Sequence, residues 1–161
     1  MSEFIRLKHL KGVNSSHIPE KGAYGARKGC HDQISAWEHF GGLTLEEAYE
    51  RFCVRPDIHQ EDFMFMGWTV FLYYFPVIET YLHVAIPRDE FDECEALILA
   101  DIILRQWEQA RLRRVPDLGQ RLLDLCAYVR SNLDRYDLRP ERQKEVDTAW
   151  AKLEARVKGR A

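Results

Sequence analysis

The chain has 161 residues, 46% of them hydrophobic and 12% aromatic, and a net charge of -3 at pH 7 with histidine neutral. That is one domain's length, enough to bury roughly 70% of the unfolded surface without a disulfide or metal staple. Composition excludes a disordered tail, a collagen-like repeat and the charge excess of an arm that binds nucleic acid or a membrane surface.

Residues 1–42 stand apart. They hold six of the nine glycines and four of the six histidines, with no long helical period. Ile5 and Leu7 alternate with Arg6 and Lys8, which predicts a short strand over 4–10. Gly, Pro and Asn favour turns, so 14–16 and 19–29 read as loop, with a short helix over about 33–40. The first residues lack the basic start and apolar stretch of a secretory signal, so the expected location is the cytoplasm. Cys30, Cys53, Cys94 and Cys126 form no CxxC pair. They read as reduced thiols rather than as a zinc ribbon or redox couple.

From residue 43 the pattern turns helical. Thr44-Leu45-Glu46-Glu47 is a capping box that opens a helix to about Phe52. Arg55-Pro56-Asp57 predicts a break, because proline disfavours helix in the residue before it. The aromatic run 63–86 reads as helical in two pieces around Pro76, with a kink or a fresh helix start there. Pro76, Glu79 and His83 interrupt it too soon for a bilayer span, and no membrane partner is expected. Asp89 is the expected N-cap of a long helix with an apolar middle, ending at Arg111, Arg113 and Arg114 before Pro116. A helix over 116–133 aligns Leu118, Leu122, Leu125, Cys126, Val129 and Leu133, and one over 139–158 aligns Val146, Trp150, Leu153 and Val157. The expected fold is all-α: a single domain, 1–161, in which a Gly-rich irregular arm (1–42) precedes a bundle of about five to six helices (43–161).

Charge is sorted along the chain. Residues 43–110 carry fourteen acidic and four basic groups, while every other segment is mildly basic. The acidic residues least explained by helix ends or ion pairs are Glu50, Asp57, Glu61 and Asp62, around the break at Arg55-Pro56. Exposed connections commonly carry binding function, so these four are the expected partner-binding residues.

Chemistry-bearing patterns are sparse. His31-Asp32 has the residue types of an HD-type metal phosphohydrolase, with His9 or His17 and Asp101 as further ligands. Six His and eleven Asp make roughly 0.4 such dipeptides a matter of chance, and here the pair follows a polar loop. His59, Glu61 and Asp62 are close enough to suggest a metal, but carboxylates near a helix start serve that start equally well. Asp101 stands four residues before Arg105, the spacing of a structural ion pair. Neither a phosphate loop nor a nucleophilic triad is present. The expectation is therefore no cofactor, no catalytic residue and no metal, with His31 and Asp32 as the alternative metal pair.

Trp37-Glu38-His39-Phe40-Gly41-Gly42-Leu43-Thr44-Leu45-Glu46-Glu47-Ala48-Tyr49, Gln60-Glu61-Asp62-Phe63-Met64-Phe65-Met66-Gly67 and Tyr73-Tyr74-Phe75-Pro76-Val77 resemble stretches of small bacterial proteins similar to immunity partners of polymorphic toxins. The resemblance covers residues 37–82. It implies a non-enzymatic cytoplasmic protein that binds and occludes a cognate toxin, with a basic toxin domain as the protein partner. It carries no catalytic residue across. An acidic surface suits that role, since it steers a basic partner. The alternative is a small metal-dependent phosphohydrolase using His31 and Asp32.

Overall fold

The computed structural model describes residues 17–25, 30–84, 95–137 and 139–159. The strand expected over 4–10, His9, and the N-cap at Asp89 lie outside them. Among the described residues there is no strand, and the all-α expectation holds. The described residues hold eight α-helices rather than five to six: α1 (His31–Phe40), α2 (Leu45–Val54), α3 (Pro56–Asp62), α4 (Trp68–Val84), α5 (Glu95–Trp107), α6 (Ala110–Arg113), α7 (Leu118–Arg130) and α8 (Pro140–Lys158). The chain divides into two compact units, Met1–Tyr81 and Leu82–Ala161. The division falls inside α4.

The extra helices have local causes. Arg55 takes a non-helical backbone (φ -142°, ψ 70°), as a residue before proline should, but Pro56 then occupies the first turn of α3. The expected break is one residue wide. The helix expected to run to Arg114 stops at Trp107, because Gln109 is extended (φ -74°, ψ 122°) and a single turn, α6, restarts at Ala110. Pro76 splits nothing: α4 is continuous over 17 residues. Residues 70–78 are all buried, so packing outweighs the local cost of proline.

In the first unit, Lys21–Tyr24 forms a 3-10 turn against α1, and α1 packs on α3 and α2. Tyr24, Ala36 and Phe40 are fully buried, so the described part of the arm contributes to the core. The core is aromatic. Phe40, Phe63, Phe52 and Tyr81 form a chain of edge-to-face contacts with centroids 5.0–5.7 Å apart. Such contacts add about 0.5–1.5 kcal/mol each to their area burial. The Thr44 capping box forms as expected, with Thr44 N donating to Glu47 Oε1 at 2.9 Å and Glu47 N donating to Thr44 Oγ1 at 3.2 Å. Gly67 is required where it stands: a Cβ there would collide with the Ala23 carbonyl oxygen.

Tyr74 ties the end of α1 to the core. Its hydroxyl lies 2.9 Å from the Phe40 carbonyl and 2.8 Å from that of Leu43, sharing its one proton between them. Burial pushes its pKa upward, and that of the fully buried Tyr24 to about 12. Tyr74→Phe removes both bonds inside the core. The expected loss is about 1–3 kcal/mol, read as a lower urea midpoint at unchanged slope.

In the second unit, α8 packs along both α5 and α7. All four residues expected to face inward from α8 are buried: Val146, Trp150, Leu153 and Val157. On α7, Leu118, Leu122, Leu125, Cys126 and Val129 are buried, and Leu133 lies beyond the helix, half-buried. Trp150 Nε1 donates to the Ala96 carbonyl at 2.8 Å, joining α8 to α5. Asp101 and Arg105 form the expected surface pair at 2.9 Å. Burial pushes the Cys126 thiol up to about 12, which makes it unreactive near neutrality. No helix of the described residues is long and apolar enough to cross a membrane.

Candidate functional site

Two features of the first unit stand out, both built on the α2–α3 corner. One is polar and largely buried; the other is an exposed surface.

His59 and Asp62 are three residues apart on α3, so their side chains emerge on the same helix face. That face is inward: His59 is 7% exposed and Asp62 is 6%. His39, near the end of α1, completes a group of three. His39 Nδ1 lies 2.8 Å from Asp62 Oδ2, and His59 Nδ1 lies 3.0 Å from the same oxygen. The two imidazoles meet edge to face, with centroids 4.8 Å apart, and Phe40 packs edge-on against His59 at 5.4 Å. One carboxylate oxygen thus accepts from two ring nitrogens, which is how a buried acid avoids its desolvation penalty. The His39 side chain is 36% exposed, so the group opens to solvent on that side. Arg51 Nη1 donates to the His39 carbonyl at 2.8 Å and fixes the helix end that carries it.

This arrangement changes the reading of Asp62. Expected with Glu50, Asp57 and Glu61 on a partner surface, it is instead buried and engaged by two histidines. It does not charge the start of the aromatic helix either, because α3 is a separate helix that ends before Trp68. His39 was not singled out by the sequence: it stands 20 positions from His59, beyond any local spacing. The His59-x-x-Asp62 pair was the legible half.

The other acidic residues lie outside. Glu50 and Glu61 are exposed, and Asp57 is half-buried. Arg55 grips Asp57 with two parallel bonds, Nε to Oδ1 at 3.0 Å and Nη2 to Oδ2 at 2.8 Å. The Arg55 hydrogen bond holds the Asp57 carboxyl below the usual range, although so exposed a pair contributes little stability. The same two helices carry two exposed apolar residues. Val54, the last residue of α2, is 75% exposed, and Ile58 of α3 is 43%. They are two of only three exposed large hydrophobic residues among those described. Glu50 precedes Val54 by four residues and Glu61 follows Ile58 by three, so each carboxylate shares a helix face with an apolar neighbour. The corner therefore exposes two apolar side chains, each with an acid on its own helix face.

His31 and Asp32, the alternative metal pair, are exposed at the start of α1. The only group of three among the described residues with metal-ligand spacing is His39, His59 and Asp62, whose ligand atoms all lie within 4.8 Å of one another. His31 and Asp32 are not part of it. Comparison with family models, curated proteins and solved structures finds no match.

Proposed function

We propose that this chain is a non-enzymatic protein-binding module, an immunity protein of the polymorphic-toxin type, whose α2–α3 corner occludes a basic toxin domain. The observation that carries the reading is the corner itself: Val54 and Ile58 exposed together, with Glu50 and Glu61 beside them. In this reading the exposed apolar side chains supply the centre of the interface and the neighbouring carboxylates its charged edge. The resemblance over residues 37–82 covers the same corner. The acidic excess of residues 43–110 supports a basic partner, since complementary charge speeds encounter.

Co-expression with the product of each adjacent gene tests the proposal. A basic toxin-domain protein should copurify with this chain and lose its toxicity; failure of both neighbours to form a complex overturns the reading. The edge charges then give a kinetic test. Glu50→Lys with Glu61→Lys should slow association several-fold at low salt and flatten its salt dependence, leaving the melting temperature nearly unchanged. Asp62 is left out of that variant because its carboxylate is committed to His39 and His59. An association rate equal to that of the parent would remove the acidic edge from the interface.

A further inference from the structure

We infer that His39, His59 and Asp62 form a binding site for a divalent transition-metal ion of the zinc class. The ligand set is two imidazoles and one carboxylate, a combination suited to zinc and its neighbours rather than to calcium or magnesium. Both histidines turn the same atom, Nδ1, toward the same oxygen, Asp62 Oδ2, at 2.8 and 3.0 Å. Donor atoms around a tetrahedral ion with bonds of about 2.0–2.1 Å stand about 3.3 Å apart, so the two Nδ1–Oδ2 distances must open by a few tenths of an ångström, and all three ligand atoms already lie within 4.8 Å of one another. His39 supplies that opening from its half-exposed position near the end of α1.

When the ion takes the place between the three ligand atoms, each ring coordinates through Nδ1 and carries its proton on Nε2. Two of the ligands sit on one helix and the third on its neighbour, which fixes the set on rigid elements. Three protein ligands leave a fourth position for water on the His39 side. The site is independent of the exposed corner: Glu50, Val54, Ile58 and Glu61 contribute nothing to it.

Chelator-treated protein titrated with Co(II) and Zn(II) provides the test. The expected result is one ion per chain, with the visible absorption of four-coordinate Co(II). Zinc at about a hundredfold excess over its dissociation constant should raise the melting temperature by about 5–10 °C. His39→Gln discriminates metal from hydrogen bonding, because the glutamine amide still donates to Asp62 but the imidazole ligand is gone. That variant should melt like the parent without metal and bind cobalt at least tenfold more weakly. A parent protein that takes up no stoichiometric ion at millimolar zinc overturns the assignment. So does a His39→Gln variant that binds as tightly as the parent, and Asp62→Asn provides the second check on the same readout.

Discussion

Leu99→Asp is expected to destabilise the second unit severely. Leu99 is fully buried on α5, on the unit's apolar interior. An aspartate there loses the leucine's burial, worth about 1.5–3 kcal/mol, and puts a carboxyl group in a site made for hydrocarbon. Protonating the group avoids the full ionic penalty but still leaves polar atoms to satisfy. The total is about 4–5 kcal/mol or more, against a whole-domain stability of about 5–15 kcal/mol. Far-UV circular dichroism should show helix loss at 25 °C, or a melting temperature lowered by more than about 10 °C. Leu99→Met, which keeps volume and polarity, should cost less than about 1.5 kcal/mol. An aspartate variant that melts like the methionine variant would place Leu99 outside the core.

The second large effect concerns binding and leaves folding untouched. Val54→Ser together with Ile58→Ser removes the apolar centre of the α2–α3 corner. Both side chains already face solvent, so the free protein should keep its stability to within about 0.5 kcal/mol per site. In a complex they would be desolvated, and losing that burial costs about 2–3 kcal/mol for the pair after allowing for the part of Ile58 already covered. Affinity for the copurifying partner should fall about 30- to 150-fold, mostly through faster dissociation. The charge reversal at Glu50 and Glu61 acts on association instead, so the two variants separate centre from edge. Unchanged dissociation in the serine variant would move the interface elsewhere on the protein.

How much of this was legible depended on whether the deciding contact was local. The inward face of α8 was read correctly because four apolar residues at three- and four-residue spacing leave little choice of face. The Thr44 capping box was equally plain, since both of its hydrogen bonds close within four residues. Pro56 was half-read: the rule for the residue before a proline holds at Arg55, and the rule favouring proline in a first turn holds at Pro56 itself. No fresh start occurs at Pro76 because burial along α4, which depends on contacts far away in sequence, overrides the local penalty. Asp62 was taken for a surface charge because the two histidines that make its burial tolerable are only partly visible in sequence. His59 lies one turn away, while His39 belongs to another helix.

Arg55 both closes α2 and opens α3, so the connection between these helices contains no spare residue. Insertions and deletions are therefore not tolerated here as they are in an ordinary loop. One added residue within α3 before Ile58 would turn everything after it by about 100° around the helix axis. His59 and Asp62 would leave the inward face, and Ile58 would leave its present exposed position. Length variation among related chains should accordingly collect elsewhere, and the run from Thr44 to Asp62 should keep a fixed count. A search by that spacing, with histidine at 39 and 59 and aspartate at 62, has a physical reason to find relatives that overall similarity would miss.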